Sequence, residues 1–110
     1  MQIPTLPKHC HTPKLHVVMN NPRLHLYIEG VVQGVFYRAF VLELALKSGL
    51  RGWVKNLPDG RVEAVFEGKE EDVEKAMAEC YKGPPGAYVT NIDVARESCK
   101  GELRDFEIRY

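Results

Sequence analysis

Apolar and polar residues alternate through Leu24, His25, Leu26, Tyr27, Ile28 and Glu29, the period of a strand with one buried face. The run continues to Val32 and enters a turn carrying Gly34. From Arg38 to Ser48 the period lengthens: Val41, Leu42, Ala45 and Leu46 recur at helical spacing and predict a helix with its apolar face in the core. Gly49 stands where a helix C-terminus is commonly closed by a left-handed residue. Gly52–Asn56 and Arg61–Glu67 predict two further strands around Leu57-Pro58-Asp59-Gly60, whose Asp-Gly pair is a hairpin signal. In the second of these, Val62, Ala64 and Phe66 make one face, and Glu63 and Glu67 point the other way. Lys69–Lys82 reads as a second helix, with Val73, Ala76, Met77 and Cys80 at helical spacing, acids at its start and Lys82 at its end. Gly83-Pro84-Pro85-Gly86 enforces a loop. Thr90–Glu97 alternates through Ile92 and Val94, and Leu103–Tyr110 places Phe106, Ile108 and Tyr110 on one face.

The order strand, helix, strand, strand, helix, strand, strand predicts an α+β domain. Its two crossover helices cover one side of a mainly antiparallel or mixed sheet, a two-layer α/β sandwich of the ferredoxin-like kind. Periodicity carries the core of that expectation. It does not dictate the strand order, least of all the place of the last strand.

Length limits the chain of 110 residues to one core. Residues 1–22 differ from the rest: Pro4, Pro7, Pro13 and Pro22 punctuate them, and His9, Cys10, His11 and His16 crowd the same span. An irregular arm over 1–22 and one folded domain over 23–110 are expected. His9-Cys10-His11 offers soft ligands, but adjacent residues seldom supply a whole tetrahedral site, so no metal is expected. Met19 is a possible alternative start. The arm's only charges are Lys8 and Lys14, which leaves 13 of the 15 basic residues against 15 acidic ones in the remainder. A mildly acidic body is a poor partner for a phosphate backbone. Cys10, Cys80 and Cys99 are odd in number and give no paired framework. With no membrane-length apolar stretch and no apolar leader at the N-terminus, a soluble, reducing, cytoplasmic setting is expected.

The chemistry concentrates in Gly30-Val31-Val32-Gln33-Gly34-Val35-Phe36-Tyr37-Arg38. A strand, a glycine turn and a helix N-terminus can converge backbone N–H groups on an anion, and Arg38 is placed to add a two-pronged, permanently charged contact. The same glycines could equally serve a tight connection and nothing more. His25 reads as an ordinary residue on the face opposite the core. Asn56, before Pro58, reads either as a strand-end residue or as a carboxamide that can accept from one water proton while donating elsewhere. Val54 and Asn56 share a strand face. If Val54 faces the helices, Asn56 emerges beside the start of the first one.

Val32-Gln33-Gly34-Val35 followed by Tyr37-Arg38 resembles the signature of the acylphosphatase family. A second block, Gly49-Leu50-Arg51-Gly52-Trp53-Val54-Lys55-Asn56 with Asp59-Gly60 and Val62-Glu63-Ala64, resembles it too, so the likeness runs over residues 23–110. Tyr37 stands where the family usually has Phe and should preserve the packing. The arm lies outside the pattern. The resemblance implies hydrolysis of small acyl phosphates to a carboxylate and inorganic phosphate, without metal or cofactor, by a cytoplasmic monomer. It implies that Arg38 is the catalytic, phosphate-binding arginine and that Asn56 positions the attacking water. The amides of Gln33, Gly34, Val35, Phe36, Tyr37 and Arg38 would cradle the phosphate. Asn56 is no strong base, so the substrate's own phosphate oxygen is expected to take the water proton.

Two rivals remain at this point. One is an anion-binding module without turnover. The other is RNA binding through exposed sheet aromatics, for which Tyr27, Trp53 and Tyr88 are candidates and which the acidic balance disfavours.

Overall fold

The structure is a computed structural model that describes residues 21–98 and 102–110. His9, Cys10, His11, His16, Met19 and Cys99, and so the readings that rest on them, lie outside the described residues. The elements follow as β1 (Arg23–Val31), α1 (Tyr37–Ser48), β2 (Arg51–Asn56), β3 (Val62–Glu67), α2 (Glu70–Lys82), β4 (Tyr88–Glu97) and β5 (Phe106–Arg109). This is the expected ferredoxin-like sandwich, with boundaries shifted by one to three residues. One five-stranded sheet runs β4-β1-β3-β2-β5. Every pairing is antiparallel except β2 with β5, which is parallel. The last strand therefore lies at the edge beside β2.

Alternation in the strands builds the helix-side core. Leu24, Leu26 and Ile28 of β1 meet Val62, Ala64 and Phe66 of β3 and Val54 of β2, and both helices cover them. On α1 the seam is Tyr37, Val41 and Ala45, one residue per helical turn. Leu46 was expected on this face but is 61% exposed. It follows Ala45 by one residue, which turns it about 100° off the seam. Gly49 closes α1 at φ 69, and the Leu50 N–H reaches back to the Ala45 carbonyl at 2.9 Å, satisfying an end carbonyl that the helix leaves unpaired. Gly30 has a different reason to be glycine. At the register shift where β1 pairs with β4, a Cβ there would lie 2.0 Å from the Tyr88 carbonyl oxygen.

The opposite sheet face departs from a plain solvated one. Leu103, just before β5, packs on Trp53 and Val65 as a second small core, and Glu102 pairs with Arg23 at 3.3 Å. Glu67, which the alternation places on this polar side, is 0% exposed between Arg23 and Arg51. His25 sits between Glu63 at 2.6 Å and Glu97 at 3.1 Å. The aromatic faces are also taken: Arg61 lies over Tyr27, and Arg109 and Lys55 over Trp53. Of the three aromatics put forward for RNA stacking, Tyr88 is the exposed one, which leaves no platform of free rings here. Among the described residues, no helix is long and apolar enough to cross a membrane.

Candidate active site

The turn between β1 and α1 is where the backbone leaves ordinary geometry. Gly34 has φ 77, and Phe36 has φ 63 and ψ 27, the one non-glycine residue with positive φ among those described. Left-handed backbone at a bulky side chain costs on the order of 1–3 kcal/mol, and here it occupies the N-cap position from which α1 starts. The first intrahelical bond runs from the Phe40 N–H to the Phe36 carbonyl at 3.1 Å. The amides of Tyr37, Arg38 and Ala39 therefore precede the helical ladder. No side chain caps them, and the first turn contains no acid. An uncapped helix start has unmet donors and a positive dipole end.

A cavity of about 330 Å³ opens at this point. Gly34 and the first residues of α1 line it, as do Arg38 and Asn56. Arg38 makes no hydrogen bond or ion pair with any described residue. Its guanidinium rests 5.0 Å from the centre of the Tyr110 ring, leaving the edge of the fork, with its N–H donors, available. Asn56 is the last residue of β2, opposite Val62. Its Oδ1 is buried and accepts no hydrogen bond from a described residue, an uncommon state for a buried carbonyl oxygen.

Tyr37 lines the cavity and is buried, and its hydroxyl donates to the Cys80 carbonyl at 2.6 Å. The hydroxyl absent from the usual Phe thus finds a partner at the end of α2. Burial drives the Tyr37 pKa far above its ordinary value, so the phenol stays a neutral donor. Burial likewise pushes the Cys80 thiol up to about 12, which keeps it inert.

Gln33 and Val35 do not line the cavity. Val35 packs against the core. The Gln33 side chain leaves the turn, and its Nε2 donates to the Leu57 carbonyl at 2.8 Å and the Arg61 carbonyl at 2.9 Å. Those carbonyls belong to the hairpin just after Asn56, where the Leu57 N–H itself bonds to Arg61 O at 2.8 Å. One carboxamide thereby ties the turn that leads to Arg38 to the strand end that carries Asn56. Gln33→Ala should lose about 1–3 kcal/mol of stability with the two bonds, or roughly 4–8 °C of Tm per kcal/mol. It should lower kcat more than it raises KM, because Arg38 stays while Asn56 drifts. Thermal melts and steady-state kinetics on one preparation check both halves.

Ile108 and Tyr110 also line the cavity, a contribution that sequence reasoning did not assign. The register Val54↔Ile108 and Lys55↔Arg109 carries the end of β5 up beside Asn56. The signal was the shared face of Phe106, Ile108 and Tyr110, but it has meaning only once β5 is known to lie parallel to β2. Among the described residues, no group of three or more His, Cys, Asp or Glu side chains gathers as a metal site requires.

Comparison with known proteins places this geometry. The Acylphosphatase family profile matches residues 24–108. An acylphosphatase of Aeropyrum pernix is 54% identical over 89 residues, covering 80% of this chain and 88% of the relative. One from Syntrophus aciditrophicus is 49% identical over 88 residues, covering 80% and 92%. The crystal structure of acylphosphatase from Bacillus subtilis superposes with a TM-score of 0.79 at 37% identity, covering 81% of this chain and 99% of that one. A match over the glycine turn, both helices and the sheet, at this identity and over nearly whole relatives, leaves one assignment: the chain belongs to the acylphosphatase family.

Proposed function

We propose that the chain hydrolyses acyl phosphates by direct attack of water on phosphorus. One observation carries the reading: a guanidinium (Arg38) and a buried carboxamide oxygen (Asn56), neither hydrogen-bonded to a described residue, line one cavity at an uncapped helix start. In this reading the phosphoryl group sits on the amides of the Gln33–Arg38 turn, with Arg38 spanning two of its oxygens. Gly34 and the residues from Phe36 onward line the cavity and take the direct part, while Gln33 and Val35 hold the shape of the turn. Asn56 Oδ1 accepts a hydrogen bond from water and holds its oxygen in line with phosphorus.

The water oxygen forms the new P–O bond as the bond from phosphorus to the acyl oxygen breaks. The electron pair leaves on a carboxylate, whose conjugate acid has a pKa of roughly 4, so departure needs no strong general acid. Among the described residues, the lining side chains include no His, Asp, Glu or Lys. The water proton therefore passes to a phosphate oxygen of the substrate. Charge spread over the equatorial oxygens is met by fixed donors that need no rearrangement.

Hydrolysis of acetyl phosphate in ¹⁸O-labelled water tests the direction of attack. The label should enter inorganic phosphate and not acetate, and added phosphate should inhibit competitively. Label in acetate would place the attack at carbon and remove the role given to Asn56. No turnover above the spontaneous rate, with phosphate still raising Tm, would make the site a non-catalytic anion binder.

A further inference from the structure

The turn between β1 and α1 is moored on both shoulders, and one mooring is a hydroxyl to which the reaction gives no part. Before the turn, the Gln33 side chain holds the hairpin. After it, the hydroxyl of Tyr37 reaches the carbonyl of Cys80. Cys80 lies in the last turn of α2 and is fully buried. In a continuing helix its carbonyl would accept from the N–H four residues on, but that residue is Pro84, which has none. The helix closes one carbonyl earlier, with the Gly83 N–H on the Glu79 carbonyl at 2.9 Å. The Tyr37 hydroxyl therefore supplies the donor that Pro84 withholds from a buried acceptor. The ring fits as closely: a Cβ on Gly83, where φ is 67, would lie 3.2 Å from Tyr37 Cε2.

Between the two moorings lies Phe36 at φ 63, and strained backbone persists only where its surroundings over-determine it. Resting on the proposed phosphoryl site, we propose that Tyr37 is a positioning residue: its hydroxyl anchors the first turn of α1 to the end of α2 and so holds the amides of Tyr37, Arg38 and Ala39 in the geometry that binds phosphate. Phe at this position fills the same space but leaves the Cys80 carbonyl without that partner. The turn is then free to relax from its strained form, and phosphate has to draw it back. A site that is competent for only part of the time binds more weakly by that fraction, yet works normally once filled. The loss falls on binding of substrate and product alike and spares the chemical step. The net worth of one hydrogen bond sets its size at about 2–10-fold.

The test compares the whole chain with Tyr37→Phe and Val65→Ala at a temperature well below all three Tm values. Val65 is buried in the small core on the far face of the sheet, so its truncation lowers Tm without touching either mooring. Tyr37→Phe should raise KM for acetyl phosphate and the Kd of inorganic phosphate by one common factor of about 2–10, with kcat nearly unchanged. Val65→Ala should lose Tm and keep KM, Kd and kcat. A Tyr37→Phe chain with lowered Tm but unchanged KM and Kd would make the hydroxyl purely structural and overturn the inference. So would a fall in kcat at constant KM, or an equal rise of Kd in Val65→Ala. Titration calorimetry reads the phosphate Kd without turnover. A parent that cleaves nothing, with Kd still raised in Tyr37→Phe, would therefore end the hydrolase reading and keep the mooring. A parent that binds no phosphate would overturn both.

Discussion

Arg38→Ala should lower kcat/KM for acetyl phosphate by about 10³–10⁵-fold, the range seen when a single arginine is lost from a phosphoryl-transfer site, or about 4–7 kcal/mol of transition-state stabilisation. The size follows from what Arg38 does not do. It is bound to no carboxylate and no carbonyl of the described chain, and its one contact of charge is the face of Tyr110. Its donors are therefore not diverted into holding the fold. Loss of the cation–π contact costs about 0.5–1 kcal/mol at an exposed site, so the variant should fold and melt within a few degrees of the parent. Inorganic phosphate at about a hundred times its Kd should raise the parent's Tm by about 10 °C or more. It should leave Arg38→Ala nearly unmoved. A variant that keeps its phosphate-induced shift would show that the amides of the turn bind the anion without the guanidinium, and Arg38 would then act on the transition state alone. Arg38→Lys should remain at least 10²-fold impaired: an ammonium restores charge but not two parallel donors in one plane.

Much of this fold, and the meeting of Arg38 and Asn56 at one cavity, was legible in the sequence. The alternation from Leu24, the helical spacing from Arg38 and the Asp59-Gly60 hairpin are local patterns, and local patterns survive into the fold. What stayed hidden depends on contacts between distant segments. Gln33 was assigned to the anion turn through its amide, yet its side chain works 24 and 28 residues away on Leu57 and Arg61; no periodicity marks such a bond. Glu67 reads as an ordinary outward residue of an alternating strand, yet it is buried with Arg23 and Arg51 against it, and Arg23 in turn pairs with Glu102 from just before β5. Phe36 shows the reverse problem. Phe gives no hint of left-handed backbone, a conformation that sequence normally signals by Gly or Asn. Each miss is a case of tertiary context deciding where local chemistry was silent. The two misses nearest the cavity, Gln33 and Phe36, both sit in the turn between β1 and α1 that leads to Arg38.

Asn56→Ala gives the opposite split. Its kcat should fall about 10²–10³-fold, the usual effect of losing one positioning hydrogen bond from a preorganised site, while KM and the phosphate-induced Tm rise stay within about twofold. The phosphate grip is intact because Arg38 and the turn are untouched. The fold should not suffer either. Oδ1 is buried and bonded to no described residue, so truncation removes a desolvated oxygen that gives the isolated chain nothing in return; the variant should melt at or slightly above the parent. Loss of rate with no loss of stability marks a group kept for the reaction. Asn56→Asp separates positioning from base catalysis. A carboxylate is the better base, but it stands beside a dianionic substrate, and repulsion should leave it no faster than Asn56→Ala. An Asn56→Asp enzyme as fast as the parent would mean that proton removal limits the reaction. The transfer to a substrate phosphate oxygen would then have to be abandoned, though Arg38 would keep its place.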